Sequence, residues 1–98
     1  MAKLIMTDAA MDDLDEIKEY IDKDNPTAAV RVIKNIFACL DLLEEFPLSG
    51  AVVKGSDYRL IVSGNYAAYY RYADDTIIID RILHTRRNCL RILFGGLH

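Results

Sequence analysis

What this chain has little of narrows its function first. It has two cysteines, Cys39 and Cys89, and neither belongs to a CxxC pair or a histidine cluster. Both are expected to be small, reduced thiols, and neither a disulfide nor a metal site is expected. No apolar run approaches the ~20 residues that cross a bilayer. The opening residues Met1 to Asp8 carry one lysine and three consecutive apolar residues before polar ones, unlike a secretory signal. The expected location is therefore the cytoplasm, away from membranes. There are no repeats, low-complexity tracts or linkers, so residues 1–98 read as a single domain. Phosphate loops, metal motifs and nucleophile elbows are missing as well. Gly95-Gly96 is too short to cradle a phosphate, and Ser63-Gly64 reads as a turn. No cofactor is expected.

The residues that are present describe a globular protein. The 52% hydrophobic and 28% charged fractions argue against disorder. A chain of this length buries roughly 60–70% of its unfolded surface, enough for one core. The net charge of −3 hides an asymmetry: residues 1–53 carry five Lys/Arg against eleven Asp/Glu, whereas residues 54–98 carry seven against four. Overall acidity opposes non-specific nucleic-acid binding, while the basic C-terminal part permits one local anionic contact.

Lys3 to Thr7 reads as a first strand. Thr7 or Asp8 then caps a helix over roughly 8–23, on which Ala10, Leu14, Ile17 and Ile21 recur on one face and acidic residues fill the rest. Asp24-Asn25-Pro26 punctuates the chain, with Asn25 as a cap and Pro26 opening a second helix. Ala29, Val32, Ile33, Ile36, Leu40 and Leu43 form its stripe, broadened by Val30, Phe37 and Leu42, until Pro47 stops it. So short a connection predicts an antiparallel helical hairpin. Residues 58–63 and 66–72 alternate as strands around the turn at Gly64-Asn65, and Asp74-Asp75 turns into the strand 76–84. That last strand is apolar on both faces near its start, which predicts a central position. Residues 86–94 are expected to form a short C-terminal helical tail.

The expected fold is α+β: an N-terminal strand, a helical hairpin and an antiparallel meander, making an antiparallel sheet of about four strands covered on one face. The other face should expose Ile61, Tyr69, Ile78 and Ile82, with Arg59, Arg71 and His84 nearby, and suits a partner. For chemistry, the segment Arg81-Ile82-Leu83-His84-Thr85-Arg86-Arg87 supplies the ingredients. His84 is of the residue type that serves as a general acid or base, and Arg59, Arg81, Arg86 and Arg87 suit bidentate anion binding. RNA cleavage through a 2′-hydroxyl needs a proton-transferring group and cations of this kind. Strand-end contacts to a protein partner account for the same residues.

Several runs in order resemble one family. Ala10 to Ile21, then Asn25-Pro26 with Ala28-Ala29, then Leu43 to Pro47 and Gly50, look like the helical hairpin of the RelE/ParE superfamily of bacterial toxins. The likeness continues through Tyr58-Arg59, Tyr66, Tyr70-Arg71, Asp74-Asp75, Ile77 and Ile79 to Arg81-Ile82-Leu83-His84 and Arg86-Arg87, and is nearest the ParE branch, also described as plasmid stabilisation proteins. It implies a cognate antitoxin whose flexible segment wraps the toxin, as a toxin–antitoxin hetero-oligomer. It also implies one of two activities: ParE-like members poison DNA gyrase, and RelE-like members cleave mRNA in the ribosome. The nucleases place basic residues where this chain has Ile61 and Ala67, although Arg59 is kept. Those departures favour a gyrase inhibitor that is not itself an enzyme. On that reading Arg59, Ile61, Tyr69 and Arg71, with Arg81, His84, Arg86 and Arg87, are partner-binding residues. A ribonuclease would instead use Arg59, Arg81, His84 and Arg87. A non-toxic binding module of the same fold is the third expectation.

Overall fold

The computed structural model describes residues 2–86. Within them run strand β1 (Lys3–Met6), helices α1 (Asp8–Asp22) and α2 (Pro26–Glu45), and strands β2 (Ala51–Val52), β3 (Arg59–Ser63), β4 (Tyr66–Ala73) and β5 (Thr76–His84). The helix starts have local causes. Thr7, in extended backbone, caps α1 by accepting the Ala10 N–H on Oγ1 at 3.1 Å. Asn25 does the same for the Ala28 N–H, and Pro26, with no N–H to leave unpaired, opens α2. At the far end Phe46 closes the helix and Pro47 prevents its continuation. Beyond Arg86 the expected tail over 86–94, with Arg87, lies outside the described residues. No described helix is long and apolar enough to cross a membrane.

The two helices pack on each other and on one face of the sheet, α1 against β5 and α2 against β3. Leu14 and Ile17 from α1 and Ile36, Leu40 and Leu43 from α2 meet Ala68, Tyr70, Ile77, Ile79 and Ile82 in the main core. Val30, Phe37 and Leu42, expected to broaden the α2 stripe, are exposed instead. The buried stripe is narrower because the sheet covers only one flank of each helix.

The sheet has five strands in the order β1-β5-β4-β3-β2, one more than expected, and it is mixed. β3, β4 and β5 form the antiparallel meander, but β1 lies parallel to β5, with Lys3 to Met6 beside Thr76 to Ile79. Parallel neighbours need a long crossover, and the helical hairpin begins that connection. The extra strand, β2, has two residues, both exposed, and so carries no alternation to read.

The expected sheet faces are corrected by register. Ile61 stands opposite Ala68, which in turn stands opposite Ile82, and all three belong to the helix-covered core. Tyr69 lies on the other face but is buried, with Ala67 and Leu83, under Val53, Tyr58 and Leu60. On β5 the cause is a β-bulge: Tyr69 pairs with Arg81 and Tyr70 with Ile79, leaving Asp80 as an extra residue. One extra residue inverts the alternation downstream. Ile82 and His84 therefore share the helix-side face with Ile77 and Ile79, and Ile78 stays on the far side with its neighbour Arg71.

Candidate partner-binding site

Three of the expected site arginines are held by the fold. Arg59 donates from Nη1 to the carbonyls of Leu48 (3.3 Å) and Gly50 (3.0 Å). The Tyr70 hydroxyl clamps the same loop, donating to the Pro47 carbonyl at 2.8 Å and accepting the Gly50 N–H at 3.0 Å. A Cβ on Gly50 would lie 2.7 Å from the Tyr70 ring and 2.8 Å from the Leu60 carbonyl, so only glycine fits this approach. Arg71 forms a fork with Asp80, at 2.6 and 3.1 Å, and its guanidinium lies 5.8 Å from the Tyr58 ring centroid. Bonding to Asp80 raises the Arg71 pKa above the ordinary arginine value.

Arg81 is fixed most firmly. Its Nε and Nη2 each donate at 2.8 Å to Asp13 on α1, and Asp13 Oδ2 also accepts the Ile82 N–H at 2.9 Å. This contact fastens α1 to β5 beyond Met6, where β1 ends. The bulge is satisfied nearby: the Thr7 hydroxyl donates to the Asp80 carbonyl at 2.9 Å. Bonding to Asp13 raises the Arg81 pKa.

His84, last in β5, is more open. Its Nδ1 accepts the Arg86 N–H at 3.1 Å, which places the proton of the neutral ring on Nε2. Its ring meets that of Tyr66 edge-on, with centroids 5.4 Å apart. Arg86 is exposed. Arg59 is not close to His84: they pair with Tyr70 and Tyr66 of β4, four residues apart, or roughly 13 Å along the strand.

His84 borders an open groove of about 600 Å³ between α1 and the end of β5. Asp13, Glu16, Ile17 and Tyr20 form its α1 wall, spaced as one helix face. Asn65 and Tyr66 close one end, and Ile82 and Leu83 complete the strand side. Glu16 and Tyr20 are exposed, Tyr20 to 73%. Sequence reading missed Asp13, Glu16 and Tyr20 because they fall within a generally acidic, solvated helix face. The available signal was their 13-16-17-20 spacing around the buried Ile17. Cys39 is a half-buried free thiol whose Sγ lies 3.9 Å from the Val62 carbonyl. Among the described residues no His, Cys, Asp or Glu group is arranged to hold a metal ion.

A helical hairpin on a mixed five-stranded sheet is the fold of ParE- and RelE-like toxins. A chain from the chromosomal ParDE TA system of P. aeruginosa superposes with a TM-score of 0.76 at 24% identity, covering 86% of this chain and 96% of that one. One from the RelBE2 toxin–antitoxin complex of Mycobacterium tuberculosis gives 0.57 at 22% identity, covering 85% and 96%. In sequence, Toxin RelE2 of Caulobacter vibrioides is 33% identical over 87 residues, 89% of this chain and 99% of that protein. The family described as the ParE toxin of type II toxin-antitoxin system, parDE, matches residues 4–89. The chain belongs to this ParE toxin family.

Proposed function

We propose that this toxin is neutralised in the cytoplasm by a cognate antitoxin and, when free, inhibits DNA gyrase through protein contacts. The observation that carries the choice of target is the placement of the cations. Arg59 and Arg81, two of the four residues a ribonuclease would use, have their guanidiniums committed to Leu48, Gly50 and Asp13. Arg59 also stands roughly 13 Å along the sheet from His84. Phosphoryl chemistry needs its base and its cations converging within hydrogen-bond reach of one phosphate. A surface that binds a protein has no such requirement. The antitoxin reading is supported by the family and by the neighbouring folds from ParDE and RelBE2 systems.

The test uses the whole chain. Expressed alone it should arrest growth, and co-expression of its antitoxin should restore growth. Purified, it should inhibit gyrase supercoiling and leave mRNA on translating ribosomes intact. His84→Ala should keep most of the toxicity, and replacing Arg86 and Arg87 together should abolish it. Codon-positioned cuts in mRNA that disappear with His84→Ala would instead establish a ribonuclease. Absence of arrest would establish a binding module.

A further inference from the structure

The groove beside His84 has a chemistry of its own. None of its described lining residues is a lysine or an arginine. Asp13 is already neutralised by Arg81. Glu16 forms no ion pair among the described residues. It is near enough to Arg81 to help keep it protonated, but that guanidinium is already forked onto Asp13. Tyr20 and Tyr66 add two phenol rings, and their faces attract cations. Ile17, Ile82 and Leu83 also line it but are buried, so the apolar surface open to a ligand includes the ring of Tyr20, which is 73% exposed. On the helix side the surrounding field has the same sign, since α1 carries seven Asp/Glu and one Lys, while the exposed Arg86 stands beyond His84 at the strand end.

We propose that this groove seats one cationic side chain, arginine or lysine, from the antitoxin segment that covers this flank of the toxin. The methylene stem lies along the Tyr20 ring, as long cationic side chains do on apolar surface, and the charged head meets the Glu16 carboxylate beside Tyr66. The proposal rests on the antitoxin reading above and adds the chemistry of the contact. An acidic or phosphate-bearing occupant would meet an unpaired carboxylate, and like-charge juxtaposition is costly.

Two measurements test it. The first titrates the isotope-labelled full chain with N-acetyl-arginine N-methylamide, using the uncharged citrulline counterpart as control and reading NMR shifts. The arginine compound should move the resonances of Glu16, Tyr20, Tyr66 and His84 saturably, and the citrulline compound should not. Glu16→Gln should weaken that binding by about 5-fold, and Tyr20→Ala by about 3-fold. The second compares antitoxin binding to the wild type and to Glu16→Lys, which should bind about 10-fold more weakly with an unchanged thermal midpoint. Equal shifts with both compounds, or none with either, overturn the proposal. So does equal antitoxin affinity for wild type and Glu16→Lys, a result that leaves the antitoxin reading standing. If the antitoxin does not bind the wild type at all, it is that reading that falls.

Discussion

Asp13 places a carboxylate where only 5% of the residue is exposed, and burying an unpaired charge costs several kcal/mol. Three donors offset the cost: two guanidinium N–H groups of Arg81 and the Ile82 backbone N–H. The last of these lies on β5 beyond the stretch paired with β1, so Asp13 also supplies an acceptor where no strand neighbour does. Asp13→Ala would orphan a guanidinium and a backbone N–H together, and should destabilise the fold by about 3–5 kcal/mol. Asp13→Asn keeps one acceptor oxygen and should cost less. Urea midpoints report both, and an unchanged midpoint for Asp13→Ala would show that the contact does not hold α1 in place. Asp13 was hard to read in the sequence because it belongs to an acidic run, and acids on a helix are usually solvated. Its position three residues after Ala10 and four before Ile17, both buried, was the one sign that it borders the core.

Turns and strands show how far sequence chemistry reaches at the next scale. The β4–β5 loop consists of Asp74 and Asp75, both with left-handed backbone, at φ 52° and 58°. This is the two-residue turn that favours Asn or Asp first and Gly second. Asp75→Gly should therefore stabilise the hairpin by about 1 kcal/mol. Its carboxylate gives up only a 3.3 Å exposed contact with the Tyr72 hydroxyl. A thermal midpoint that fell with Asp75→Gly would mean that this contact outweighs the backbone strain. Such turns, and the caps Thr7 and Asn25, were legible because each depends on a few adjacent residues. The bounds of β5, Thr76 to His84, were legible for the same reason. The bulge at Asp80 was not: it sits inside an apolar run, with no glycine to mark it, and is fixed by distant partners, Thr7 on its carbonyl and Arg71 on its carboxylate. Everything inferred about which face carries Ile82 and His84 depended on that one unmarked residue. The groove escaped notice for a related reason, since it exists only where α1 and the end of β5 are brought side by side.

Across the whole molecule the tyrosines set an upper pH limit. Tyr58, Tyr66, Tyr70 and Tyr72 all have pKa values raised above the ordinary tyrosine value, with burial as the leading cause in each. A raised pKa in the folded state means that the native protein holds the phenol proton more tightly than the unfolded chain does. The resulting stability is complete below the unfolded pKa, about 10, and is lost as pH rises from there through the folded values. Lys18, whose pKa is raised by its bond to Asp22, acts with the same sign, so denaturation alone does not isolate the tyrosines. Tyrosinate absorbance does. On an alkaline titration, unfolding should begin above about pH 10 and coincide with late tyrosinate formation. Tyr70 provides the internal control, because its fully buried ring also holds the Pro47–Gly50 loop. Tyr70→Phe should lower stability at neutral pH, through loss of both hydroxyl bonds, and flatten the alkaline slope, because one suppressed ionisation is gone. If instead all the tyrosines ionised near pH 10 while the protein stayed folded, burial would not be restraining them, and the close packing of β3, β4 and the loops over them would be wrong.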